Sequence, residues 1–363
     1  MIQRLPTALP LWSLLLPALS LVVLLVYFGG DPGGLALAGI GACLVAAVMA
    51  AVHHAEVVAH KVGEPFGTLM LAVAVTVIEV ALIVVLMLAG GATASALARD
   101  TVFAAIMIVC NGVVGLCVLV GGLRHRVLAF RVEGTSPTLA VLAALATLTL
   151  VLPTFTTSTA GPTFSSAQLA FVGVVSLALY GAFVFVQTVR HRDYFLPEIA
   201  DGDQDSHAEP PSTAVAWVSL GLLMLCLVAV VGLAKTLAPT IKGVVTQAGA
   251  PASVVGVVIA LLVLAPETLA AVRAASHNRL QTSLNLALGS ALASIGLTIP
   301  AVAVLSLWFP HPLVLGLAPK EMVLLALTLV VGTLTLGSGR ATVLQGAVHL
   351  VLFAVFVFLA VVP

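Results

Sequence analysis

Eleven long apolar stretches, nearly free of charge, run along the 363 residues, separated by short polar breaks. They lie near 11–28, 34–53, 66–90, 101–123, 137–155, 167–189, 214–236, 252–275, 282–308, 319–338 and 341–362. A membrane-crossing helix needs about 20 apolar residues, and these stretches are of that order. They are continuous runs, not short segments alternating apolar with polar, so a transmembrane β-barrel is excluded. The first stretch, Leu11 to Phe28 after Arg4, imitates a secretory signal. It is long for one, and a second apolar run follows at once, so it reads as a retained span.

The longest polar segment, Arg190 to Thr213, carries Asp193, Glu198, Asp201, Asp203, Asp205 and Glu209. It divides the chain into a leading helix (1–30), five spans (31–189), an acidic linker (190–213) and five more spans (214–363). Five is odd, so the second set enters the membrane with opposite polarity, as in an inverted repeat. The predicted fold is an all-α polytopic membrane protein.

Lys and Arg orient the bundle. With the N-terminus inside, the inner loops hold Arg4, Lys61, Arg124, Arg126, Arg131, Arg190, Arg192, Arg273, Arg279 and Arg340. The outer loops hold only Arg99, Lys235, Lys242 and Lys320. That asymmetry puts the N-terminus in the cytoplasm and the C-terminus outside, in a bacterial inner membrane.

Composition sharpens this picture. The chain is 61% apolar and 8% charged, against about 25% charged for a soluble domain. A soluble globular protein is excluded. Fourteen basic residues balance fourteen acidic ones, which argues against a nucleic-acid partner. Cys43, Cys110, Cys117 and Cys226 all sit in apolar runs without a CxxC pair, so no disulfide framework is expected.

Two carboxylates stand out. Glu79 is the only charged residue between Glu64 and Arg99, and Glu267 is the only acidic residue between Glu209 and Glu321. An ionisable side chain at mid-membrane costs about 2.5–3.5 kcal/mol on insertion scales. Two of them, at matching places in two halves, point to function rather than chance. Facing carboxylates from opposed helices make a cation site, and a hard ion such as Ca²⁺ takes oxygen ligands. Thr76 precedes Glu79 by three residues and shares its helix face. Pro266 lacks an N–H, which frees the carbonyl of Leu262. Asn111 interrupts an apolar span, and Ser290 and Ser294 follow Glu267 on the next one. Gly112, Gly289 and Ser290 also suit close helix packing.

At these residues the sequence resembles the calcium/cation antiporter superfamily, and within it the bacterial calcium/proton antiporters. The second half carries Glu267, then His277-Asn278-Arg279-Leu280, then Leu288-Gly289-Ser290, Ser294 and Pro300, a spacing that fits that family. Glu79 and Asn111 match its first-half positions. Val75 and Thr76, and in the second half Val263 and Leu264, replace the family's Gly-Asn pair, and Ala293 stands where many members have Gln.

The resemblance implies a secondary transporter, not an enzyme, that exchanges Ca²⁺ for H⁺ by alternating access. Cation and protons compete for Glu79 and Glu267, with Thr76, Asn111, Ser290 and Ser294 as further ligands. It implies no cofactor beyond the transported ions. Exchange of Na⁺ or K⁺ for H⁺ on the same site is the alternative. Membrane lipid surrounds the chain, and a homo-oligomer stays open. A channel would take its acidic ring from oligomeric symmetry. A hydrolase would need a metal or nucleophile motif that the chain lacks.

Accessory candidates lie at the inner mouth. His53, Glu56 and His60 share a helical face, with His54 beside them. They suit a proton relay or a regulatory metal, or else a wet amphipathic helix end. Glu64, before Pro65, suits the inner mouth or a solvated helix start. In the linker, Asp201, Asp203, Asp205 and His207 form a weak metal signature without EF-hand order.

Overall fold

The computed structural model describes residues 9–30, 32–63, 66–195, 211–247, 249, 251, 253–309 and 311–362. The chain is almost entirely helical, as hydrocarbon requires, because helices satisfy each backbone amide internally. The helices are α1 (Leu11–Tyr27), α2 (Gly34–Val62), α3 (Phe66–Gly90), α4 (Leu97–Met107), α5 (Val114–His125) and α6 (Val132–Ala146). They continue with α7 (Ser166–Phe185), α8 (Thr213–Gln247), α9 (Ser253–Ser276), α10 (Leu280–Leu305), α11 (Pro319–Leu336) and α12 (Val343–Val361). A π-helical turn, Ile108–Val113, joins α4 to α5, so these form one span, Leu97–His125. Among the described residues 10 helices are long and apolar enough to cross a membrane. With the 17-residue α1 they match the eleven expected stretches.

Two helices outrun their expected ends. α2 continues past residue 53 to Val62, because His53, His54, Glu56 and His60 contain no helix breaker. Gly63, at φ +80°, stops it where a side chain would be strained, and its N–H caps the carbonyl of Ala59 at 2.9 Å. α8 runs through Lys235, Pro239 and Lys242 to Gln247. The four basic residues assigned above to outer loops therefore all lie in helices: Arg99 in α4, Lys235 and Lys242 in α8, Lys320 in α11.

A short antiparallel pair, β1 (Val127–Ala129) and β2 (Arg340–Thr342), is absent from the sequence reading. Leu128 pairs with Ala341, tying the α5–α6 connection to the α11–α12 connection.

The chain packs as two compact units. The first comprises Met1–Ala89 and Ile199–Ile241, with α1 lying on α2. The second comprises Gly90–Glu198 and Lys242–Pro363. In the second, α9 packs on α4 and α10, α10 on α7, and α12 on α5. Small residues set these crossings: a Cβ on Gly256 would lie 2.8 Å from the Asp100 backbone, and one on Gly346 2.7 Å from the Leu119 nitrogen. These packing units differ from the expected halves, since α4 to α7 of the first half fall in the second unit and α8, up to Ile241, of the second half falls in the first.

Candidate cation and proton site

In the second unit, α9 and α10 form an antiparallel pair that brings Glu267 and Ser290 together. The turn between them needs one left-handed residue, and Asn278, at φ +61°, supplies it. Pro266 sits inside α9 without ending it, immediately before Glu267, and leaves the Leu262 carbonyl without its usual backbone donor. Ser290 donates its hydroxyl to Oε2 of Glu267. Both side chains are buried, at 5% exposure for Glu267 and 6% for Ser290. Ser294 lies one turn further along α10, also buried, and spacing by four keeps it on the face of Ser290. The cluster offers carboxylate and hydroxyl oxygens together, a hard-cation donor set.

Gly289 and Gly112 behave differently from each other. A Cβ on Gly289 would meet nothing within 4 Å, whereas one on Gly112 would touch the Phe353 ring at 3.4 Å. Close packing thus accounts for Gly112 but not for Gly289.

Asn111 sits in the π turn, where one extra residue per turn redirects the side chains, a feature frequent at functional sites. Its carboxamide meets α11 and α12. Nδ2 donates to Oγ1 of Thr328 at 2.8 Å, and Oδ1 lies 3.2 Å from Nδ1 of His349. His349 Nε2 lies 3.1 Å from Oγ1 of Thr335. All four side chains are buried. Thr328, Thr335 and His349 escaped the sequence reading. The signal was available for His349, which interrupts the last apolar stretch as Glu79 interrupts an earlier one.

In the first unit, α3 carries Thr76 and Glu79, each 3% exposed. The Thr76 hydroxyl donates to the Ala72 carbonyl at 2.8 Å, so its oxygen lone pairs remain for another partner.

The histidines of α2 divide. His54 is fully buried, and its Nε2 donates to the Ser13 carbonyl of α1 at 2.8 Å. His53 packs its ring against Trp12, centroids 4.7 Å apart. Glu56 and His60 are exposed. Among the described residues no group of three or more His, Cys, Asp or Glu is placed to hold a metal ion. Glu64 and the linker residues Asp201, Asp203, Asp205 and His207 lie outside the described residues.

Known proteins resemble this chain in sequence and in fold. A Sinorhizobium fredii protein, y4hA, is 50% identical over 361 residues, covering 98% of this chain and 97% of that protein. The sodium-potassium/proton antiporter ChaA of Escherichia coli is 35% identical over 354 residues, covering 95% of this chain and 94% of its own. The structure of native YfkE superposes with a TM-score of 0.71 at 19% identity, covering 97% of this chain and 99% of that one. The H⁺/Ca²⁺ exchanger CAX superposes at 0.70 with 13% identity, covering 96% and 88%. The sequence pattern of the sodium/calcium exchanger proteins matches residues 32–189 and again residues 218–362. The chain belongs to the sodium/calcium exchanger protein family, a family of membrane transporters and not of enzymes.

Proposed function

We propose that this chain exchanges Ca²⁺ for protons across a bacterial inner membrane, with cation and protons competing for Glu79 and Glu267. The observation that carries the reading is the buried Glu267–Ser290 pair on α9 and α10. A carboxylate held against a hydroxyl inside hydrocarbon has two useful states. Ionised, it supplies oxygens to a cation; protonated, it is neutral and donates a hydrogen bond. A free Glu, with a reference pKa of about 4.3, holds no proton at neutral pH. In this reading a proton takes the place of the departing cation on the buried carboxylate. Glu79, with Thr76 on the same face of α3, takes the corresponding role in the first half.

In this reading residues 31–189 and 214–363 are two inverted five-helix halves, preceded by the leading helix and joined by the acidic linker. Their opposed polarity supports alternating access, in which similar gates open to either side. The Lys and Arg asymmetry supports an N-terminus inside and a C-terminus outside.

One observation favours a second reading, monovalent exchange. The E. coli relative, 35% identical over nearly its whole length, is named a sodium-potassium/proton antiporter. Two relatives named Ca²⁺/H⁺ antiporters, from Aphanothece halophytica and Bacillus subtilis, are 27% and 23% identical. Competition decides between the two. In vesicles under one imposed pH gradient, Ca²⁺ uptake is followed while Na⁺ or K⁺ is raised outside. Uptake that persists against excess Na⁺ and K⁺ supports calcium exchange. Proton efflux driven by Na⁺ or K⁺ and unmoved by Ca²⁺ supports the second reading.

A further inference from the structure

We propose that His349 is a positioning residue for exchange: held as the Nδ1–H tautomer, it fixes the Asn111 carboxamide and with it the π turn packed against α9 and α10. This rests on the reading that the second unit's polar residues carry exchange.

The argument starts at a group that can only accept. The Leu324 carbonyl takes the Thr328 hydroxyl proton at 2.7 Å. The other nearby partner of that hydroxyl is the Met107 sulfur at 3.4 Å, also an acceptor. Thr328 Oγ1 has spent its one proton and must accept from Asn111. That sets the carboxamide with Nδ2 toward Thr328 and Oδ1 toward His349. An amide oxygen cannot donate, so His349 Nδ1 carries the hydrogen. In the neutral ring Nε2 is then the acceptor, and the Thr335 hydroxyl donates to it. One directional chain runs from Thr335 through His349, Asn111 and Thr328 to the Leu324 carbonyl.

Packing holds the ring in place. A Cβ on Gly115 would lie 2.9 Å from the His349 Cβ, and one on Gly346 2.9 Å from the Gly115 carbonyl oxygen. The two glycines let α5 and α12 approach until the ring reaches Asn111. The π turn contacts α9 and α10, which carry Glu267 and Ser290. A widened helical turn has more than one way to pack. Anchoring its Asn on two other helices selects one of them.

Two near-isosteric substitutions separate a positioning role from space filling. In Asn the amide nitrogen is bonded to Cγ, as Nδ1 is, whereas in Gln it lies one bond further out, nearer to where Nε2 sits. His349→Asn keeps the donor to Asn111; His349→Gln keeps only the contact at Thr335. The readout is ΔpH-driven Ca²⁺ uptake in vesicles, resolved into maximal rate and half-saturating Ca²⁺, with Na⁺ run in parallel. His349→Asn is expected to stay within about twofold of the native protein, and His349→Gln and His349→Leu to lose about tenfold in rate over half-saturation. Equal loss in Asn and Gln, or Gln outperforming Asn, overturns the proposal, as does native uptake by His349→Leu. If His349→Leu does not fold, the Asn/Gln pair decides alone. Glu267→Gln is the control: if it transports normally, the underlying site reading fails. If it is inactive while His349→Gln is native, only this inference fails.

Discussion

Ser290 of α10 donates its hydroxyl to Glu267 of α9, joining the two helices through a buried carboxylate. A hydrogen bond to a charged group is worth about 1.5–3 kcal/mol. Ser290→Ala removes it along with one of the proposed oxygen ligands. Half-saturating Ca²⁺ is expected to rise about tenfold or more. Initial uptake rates across a calcium series check this. An unchanged half-saturation would detach Ser290 from the cation.

Helix approach in the second unit depends on glycine at particular crossings. Gly346→Ala would set a methyl group 2.7 Å from the Leu119 nitrogen and 2.9 Å from the Gly115 carbonyl oxygen. Both are backbone atoms of α5 and cannot swing aside. Overpacking of this kind costs about 1–3 kcal/mol. Gly289→Ala, with nothing within 4 Å, should cost only the small change expected at an open helical position. Thermal unfolding of the two variants in detergent should therefore show a clear loss for Gly346→Ala and little for Gly289→Ala.

His54 and Pro17 form a linked pair. Pro17 stands inside α1 and has no N–H to offer the Ser13 carbonyl one turn back. His54 of α2 supplies the missing donor. His54→Leu strands that carbonyl, at a cost of about 1–3 kcal/mol. Pro17→Ala restores a backbone donor, so His54→Leu should cost less in that background. Amide exchange across residues 11–27, measured for the two single variants and the double variant, checks the coupling. Strictly additive effects would contradict it.

Much of this was legible in the chain because hydrocarbon allows few solutions. Eleven apolar stretches had to become helices, and Glu267, Asn278 and Ser290 lay close enough in sequence to be read as one motif across two successive spans. The ends of α2 and α8 were not legible, because polarity marks where a helix leaves the apolar layer and not where it stops. His54 and Lys235 are polar yet remain helical. The β1–β2 pair and the Asn111–His349 contact join residues far apart in the chain, and no local pattern announces such pairings. Asn111 was expected beside the cation; what the sequence did not show is that its carboxamide, in the π turn, is engaged by Thr328 and His349.

Transport by two carboxylate variants tests the central claim most directly. The native protein, Glu79→Gln and Glu267→Gln are placed in vesicles under the same pH gradient, and Ca²⁺ accumulation is followed. Uptake is expected in the native protein and in neither variant, while both variants keep native helicity and native thermal unfolding. Near-normal accumulation by either folded variant would contradict the account.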